Sequence, residues 1–278
     1  MSLFDAFRYD GKRVVVVGGA TGMGASVAAV VKDAGADVVV MDRAEVDLEG
    51  VTAMKVDMSD RESIEAATDA CGGPVHALFS CAGVADGTPG IERINFIGHR
   101  HMINRMLDAG QLGRGSAIGF ISSAAGMGWE ANLGVVKEFL EVEDFDAATK
   151  WTHENNKADY MFSKMAINGY VAAQAFPLLK KGIRINAILP GPTNTPLARA
   201  NAEMWLGFGS DYREEAGIEA STPLEQAYPL VFLCSEAAAG VTGITIITDA
   251  GYVASGVTES FPAATPVVGF LRGPMYGQ

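Results

Sequence analysis

The run Val14-Val15-Val16-Val17-Gly18-Gly19-Ala20-Thr21-Gly22-Met23-Gly24 constrains the fold of this chain more than any other stretch. Four valines in a row suit a strand covered on both faces, not one with a wet side. The glycines after them permit a tight turn, and the Ala/Val-rich residues 24–34 read as a helix. A doubly buried strand running straight into a helix belongs to a parallel α/β sheet. In that setting the glycines let a pyrophosphate approach the backbone. The helix N-terminus adds N–H donors and the positive end of its dipole. A plain tight turn would require neither the strand before nor the helix after.

The rhythm continues along the chain. Strands are predicted at 13–18, 37–41, 51–56, 76–80, 117–122, 183–189 and 244–248, with helices at 59–70, 91–109 and 159–180 between them. Ser59, with Glu62 three residues on, reads as a capping box. The expected architecture is a doubly wound Rossmann fold, a seven-stranded parallel sheet with helices on both faces. No repeat, low-complexity linker or break in composition divides it, so residues 1–278 are expected to form a single domain. One stretch, 129–153, departs from the rhythm. Leu133, Val136 and Leu140, then Phe145, Ala148 and Trp151, fall at helical spacing, with Asn132 and Asp144 available as caps. It reads as an inserted helical pair before the 159–180 helix.

Composition removes several function classes. The formal net charge is -12, without the clustered Lys and Arg that phosphate backbones require, so nucleic acid is not expected as a partner. The most apolar stretch, 14–31, is broken by glycines, so no membrane span is expected, and the polar start gives no sign of an apolar leader. Cys71, Cys81 and Cys234 are odd in number and scattered, which fits free thiols in a cytoplasmic protein. His99 and His101 are two apart and point to different sides of a helix, so no metal is expected.

Two spacings carry chemistry. Tyr160 and Lys164 are four apart and share a helix face, where the ammonium should favour the phenolate and lower the tyrosine pKa toward an acid–base working range. Asp42 ends the second strand about 20 residues past the glycines, placed to accept hydrogen bonds from ribose hydroxyls and to repel a 2′-phosphate. Arg43 beside it is able to bind that phosphate, but the repulsion by Asp42 is given more weight, which points to NAD. Asp57 follows the third strand and either meets the adenine or caps a helix.

Taken in order, Gly18-x3-Gly22-x-Gly24, Asp42, Asp57, Ala82-Gly83, Asn95, Ser122-Ser123, Tyr160-x3-Lys164, 183–186 (Ile-Arg-Ile-Asn), Pro190-Gly191 and Thr195 resemble the short-chain dehydrogenase/reductase family along nearly the whole chain. The resemblance implies a catalytic set of Asn95, Ser123, Tyr160 and Lys164. Tyr160 would transfer the proton and Lys164 would lower its pKa and hold the nicotinamide ribose. Ser123, the second of the serine pair, would bond the substrate oxygen, and Asn95 would support a water linked to Lys164. It also implies nucleotide contacts from Gly18, Thr21, Gly22, Met23, Gly24, Asp42, Arg43, Asp57, Met58, Ala82, Gly83, Tyr160, Lys164, Pro190, Gly191, Thr193 and Thr195. The chain departs from the pattern at Val17, at Ser80-Cys81 and at Ala250, all on the cofactor side. The long gap between Ser123 and Tyr160 is similar to the branch of bacterial 3α-hydroxysteroid dehydrogenase/carbonyl reductases and coniferyl alcohol dehydrogenases. Such an insertion is expected to cover the substrate or to alter subunit contacts.

Residues 196–222 should form the substrate loop, with Leu197, Met204, Trp205, Leu206, Phe208 and Tyr212 supplying apolar surface and Trp129 a further aromatic wall. The apolar tail, 252–278, with Phe261, Phe270, Leu271, Met275 and Tyr276, should lie over a subunit interface or the site entrance. The leading expectation is an NAD(H)-dependent dehydrogenase of a hydrophobic, steroid-like or aromatic alcohol, working as a homodimer or homotetramer. A dehydrogenase of small polar alcohols and a non-catalytic dinucleotide sensor are the alternatives.

Overall fold

The computed structural model describes residues 2–273, so Met275 and Tyr276 lie outside the described residues. The strands are β1 (Arg13–Val17), β2 (Asp37–Asp42), β3 (Thr52–Lys55), β4 (Val75–Ser80), β5 (Leu112–Ile121), β6 (Arg184–Pro190) and β7 (Thr245–Thr248). They form one parallel sheet in the order β3-β2-β1-β4-β5-β6-β7. The order reverses between β1 and β4, whose ends are in register at Val17 and Ser80. A crevice opens at the carboxyl ends of strands at such a switch point.

The valine run divides its side chains between the two faces. Val14 and Val16 point into one core with Val27, Ala28 and Val31 of α1 (Gly22–Asp33). Val15 and Val17 point into the other, with Ile64 of α2 (Arg61–Cys71) and Met102 and Ile103 of α3 (Gly98–Asp108). All four valines have no exposed surface, which accounts for the unbroken apolar run.

Three local expectations are corrected. Helix α2 is capped by Asp60, which accepts from the Glu62 amide. Ser59 is taken up by Asp57, whose Oδ1 accepts from both its amide and its hydroxyl. The Asx turn closed by Asp57 uses the donors of Ser59, so the helix begins one residue later. The predicted helix 91–109 contains a π-turn, Arg93–Ile97, before α3. Strand β5 begins at Leu112, earlier than predicted, because Gly113-Arg114-Gly115-Ser116 looks like a loop but lies in a register irregularity opposite β4.

The insertion is a helical pair, α4 (Leu133–Glu141) and α5 (Phe145–Glu154), followed by α6 (Tyr160–Lys180). Asp144 caps α5 through the Ala147 amide. Asn132 does not cap α4; it donates back to the Gly128 carbonyl. The pair packs inward. Phe139 is 2% exposed and lies against the rings of Phe96, Trp151 and Phe162 at 5.6, 5.2 and 5.4 Å. The buried Arg100 of α3 donates to the carbonyls of Leu140 and Val142 and stacks its guanidinium over Phe96 and Phe139. That arrangement satisfies the end of α4 and fastens the pair to the sheet-covering helices.

The remaining helices are α7 (Pro196–Ala200), α8 (Ala202–Trp205), α9 (Ser210–Ala216), α10 (Pro223–Cys234), α11 (Tyr252–Val257) and α12 (Thr265–Arg272). Helix α10 covers the α1 face of the sheet through Ala227, Leu230 and Val231. Helices α11 and α12 close a small separate cluster with Met127, Phe208, Tyr212 and Phe261. Truncating a buried aromatic leaves a cavity that partly collapses, so Phe139→Ala should lower global stability by about 3–5 kcal/mol in urea unfolding. A loss under ~1 kcal/mol would mean the insertion is a dispensable appendage.

Candidate active site

Gly18 follows β1 with φ +80°, and a Cβ there would lie 2.4 Å from the amide nitrogen of Ala82 after β4. Gly24 is equally closed to a side chain, because its Cβ would meet the Gly18 carbonyl oxygen at 2.1 Å. Glycine is required at both positions to bring the turn against the β4 end. Thr21 precedes α1, and its side chain does not cap the first amides of the helix.

Those amides face a cavity of about 360 Å³. Gly18, Thr21, Gly22, Met23, Gly24, Asp42, Arg43, Asp57, Met58, Ala82, Gly83 and Thr195 line it, all of them expected from the sequence. Met41, Val56, Cys81, Val84, Ile94, Pro196 and Leu197 complete it. An uncapped helix start on a cavity with an aspartate at its far end fits a dinucleotide, with the pyrophosphate at α1 and a ribose toward Asp42. Asp42 also builds the turn: its Oδ2 accepts from the Ala20 amide at 2.9 Å and its Oδ1 from Ala44 at 2.8 Å. The Ser59 hydroxyl and amide hold the Asp57 carboxyl below its usual range.

A second cavity of about 410 Å³ joins the first, sharing Met23, Cys81, Gly83, Thr195 and Leu197. It holds Ser123, Tyr160 and Lys164 together, with Pro190, Gly191 and Thr193 along one side. Both serines of the pair border it, but they differ in use. Ser122 is buried and donates to the Lys164 carbonyl at 3.3 Å, while Ser123 lies beside the phenol of Tyr160. Lys164 is 4% exposed, donates to the Ile121 carbonyl at 3.1 Å, and has its Nζ 5.4 Å from the centre of the Tyr160 ring.

The electrostatics correct the expectation for the pair. Burial raises the Tyr160 pKa above the usual phenol value, the Ser123 hydroxyl pulls it back, and the charge of Asp86 raises it further. Burial also pushes Lys164 down to about 8. Desolvation is the largest influence on both groups, because each loses water on entering the same apolar cleft.

Asn95 lies in the π-turn and is fully buried. Its Oδ1 accepts from the Val84 amide, and its Nδ2 donates to the Val84 carbonyl and to the Ser163 hydroxyl. Both amide hydrogens are thus committed, and neither is left to donate to the expected water. What the side chain does is hold the loop after β4. His99, not anticipated for the site, braces the same loop through the Ala82 carbonyl at 3.0 Å; burial brings its pKa down to about 4, so the imidazole is neutral.

The substrate-side expectations divide. Leu197, Met204, Trp205 and Phe208 line the second cavity, and Trp205 rests on the Tyr160 ring at 5.2 Å. Leu206 and Tyr212 do not line it; Tyr212 donates instead to the Ala250 carbonyl. Trp129 is also outside the lining, turned toward Gly169 of α6. No residue of α4 or α5 reaches the cavity, so the insertion does not cover it. The tail does: Leu271 of α12 forms part of the wall. Asp86, Met161, Pro192 and Ala198 are further lining residues that no motif singled out. Among the described residues no group of three His, Cys, Asp or Glu is placed to hold a metal, and no helix is long and apolar enough to cross a membrane.

Comparison with known proteins agrees with this geometry. A family model described as short chain dehydrogenase matches residues 12–134, and one described as Enoyl-(Acyl carrier protein) reductase matches 144–253. The coniferyl-alcohol dehydrogenase of a Pseudomonas species is 28% identical over 86% of this chain and 96% of its own. The galactitol 2-dehydrogenase of Rhizobium johnstonii is 29% identical over 91% and 99%. The crystal structure of a 3-alpha-hydroxysteroid dehydrogenase from Pseudomonas, complexed with NADH, superposes with a TM-score of 0.71 at 24% identity, covering 90% of this chain and 99% of that one. Sheet order, glycine turn and family matches thus converge, and the chain belongs to the short-chain dehydrogenase/reductase family, as an oxidoreductase of the alcohol dehydrogenase type.

Proposed function

We propose that this protein interconverts a hydrophobic alcohol and its ketone or aldehyde with NAD(H). The observation that carries this reading is the meeting of Ser123, Tyr160 and Lys164 in a largely apolar cavity that opens into the glycine-turn cavity. A bound nicotinamide supplies or accepts the hydride. Tyr160 donates a proton to the carbonyl oxygen in reduction and takes one from the hydroxyl in oxidation. Its raised pKa keeps the phenol protonated at neutral pH, the form reduction needs. Ser123 donates to the same oxygen and fixes its position beside the phenol. Lys164 holds the nicotinamide ribose, and Asn95 acts as a positioning residue through the Val84 loop.

Asp42 supports NAD, since a 2′-phosphate would bring negative charge against a carboxylate already committed to two backbone amides. Leu197, Met204, Trp205, Phe208 and Leu271 supply an apolar wall suited to a steroid-like or aromatic substrate. The likeness to a galactitol 2-dehydrogenase favours a polar alcohol as the second reading, against which that wall weighs.

Three measurements test the proposal. With a panel of ketones and aldehydes, Tyr160→Phe should lose about 10²–10⁴ of NADH-dependent turnover while still binding NADH. A wild type that binds NADH and reduces no panel member would favour the sensor reading. Asp42→Asn should narrow the NAD over NADP preference, and Asp42→Ala should in addition weaken both, because the Ala20 amide loses its acceptor; unchanged selectivity in Asp42→Asn would displace the ribose contact from this residue. The third concerns pH. Lys164 titrates at about 8 when folded, below its ordinary value of 10.5. Between these values the unfolded chain holds a proton that the folded chain lacks, so this group makes stability rise with pH across that window. Lys164→Met should flatten the rise in urea midpoints between pH 8 and 10; an unaltered slope would mean that the lysine is not desolvated.

A further inference from the structure

Among the described residues, the second cavity has two charged ones in its lining, Lys164 and Asp86. Lys164 is buried at the inner end, its ammonium bonded to the Ile121 carbonyl. Asp86 belongs to the other end. It lies in the loop after β4, three residues past Gly83, and its carboxylate is open to solvent. Its Oδ1 accepts from the Tyr160 backbone amide at 2.7 Å. Asp159 accepts from the Phe162 amide one turn on, so two carboxylates occupy the start of α6, where the helix dipole favours them.

The loop carrying Asp86 is held elsewhere too. His99 fixes the Ala82 carbonyl, and Asn95 fixes both backbone groups of Val84. Asp86 adds a third tie, running directly to the residue that bears the phenol. The wall of the nucleotide cavity and the start of the Tyr160 helix are thereby joined by one carboxylate. The same carboxylate faces a cavity whose other outer groups, Met161, Met204, Trp205, Phe208 and Leu271, carry no charge. Among the described residues no arginine lines the cavity to receive an anion. The influence of Asp86 on the phenol, whose ionisation it opposes, indicates that its field reaches the reacting end.

We infer that Asp86 is a positioning and specificity-determining residue, tying the Tyr160 end of α6 to the nucleotide-side loop and making the cavity select uncharged substrates over carboxylate-bearing ones of the same shape. The inference rests on the proposed reaction for its kinetic consequence. A carboxylate on the substrate would enter with the repulsion of Asp86 unrelieved, whereas a neutral ketone meets only the apolar wall.

The test uses a matched pair, an aryl methyl ketone and its para-carboxylate, with the full chain and NADH. Wild type should prefer the neutral ketone in kcat/KM. Asp86→Asn keeps an acceptor for the Tyr160 amide and removes the charge, and should reduce that preference roughly fivefold, the modest size expected of a solvent-screened charge. Raising the salt to about 1 M should compress the wild-type preference in the same direction and leave that of Asp86→Asn in place. Asp86→Ala removes the tie as well, and should lower kcat on both ketones, with Asp86→Asn restoring it. Binding of the same pair, followed by quenching of Trp205 fluorescence, gives the discrimination without turnover. A preference equal in wild type and Asp86→Asn, in both binding and turnover, overturns the inference. Discriminating binding without any turnover upholds the role of Asp86 in selection and removes the proposed reaction instead.

Discussion

The ends of β1 and β4 approach so closely that nothing larger than hydrogen fits on Gly18. The two cavities described above depend on that approach. It sets the start of α1 at the mouth of the switch point, with its amides turned to a cavity. It also brings Cys81, Ala82 and Gly83 to the place where the two cavities meet. From there the loop runs on to Val84 and Asp86, and so to Asn95 and Tyr160. A side chain at Gly18 would separate the strand ends and disturb both cavities at once.

The family architecture was largely legible in the residues, and for a physical reason. Strands buried on both faces need continuous apolar runs, and β1, β2, β4 and β6 supply them with few polar interruptions. The glycine turn was legible because only glycine tolerates the backbone contact at Gly18. Strand β5 was partly hidden, since Gly113-Arg114-Gly115-Ser116 resembles a loop when its partner strand is not in view. The competition of Asp57 for the donors of Ser59 was equally invisible, because a capping box is a local pattern and the Asx turn ahead of it is another.

The residues that meet in the two cavities were legible in identity, and their electrostatics less so. Helical spacing places Tyr160 and Lys164 side by side, but how far desolvation moves each of them depends on how much of the chain folds over them. Leu271 and Trp205, far apart in sequence, are among the residues that close that cleft. Trp129, near in sequence to Ser123, turns away to α6. The insertion likewise proved to be core material: Phe139 and the Arg100 clamp bind it to the α3 and α6 side of the sheet, outside the lining of the second cavity.

The π-turn at Arg93–Ile97 has a consequence for how such a site can vary. A π-turn amounts to one additional residue wound into a helix, so it rotates the residues before it by about 100° relative to those after it. Here it carries Asn95 toward Val84 and Ser163, while Met102, Ile103 and Met106 of α3 keep their places under the sheet. Losing a single residue from that turn would swing Asn95 away from Val84 and Ser163 and would also rotate its buried neighbours Ile94 and Phe96, so the support behind Tyr160 and the interior beside it are bound to change together.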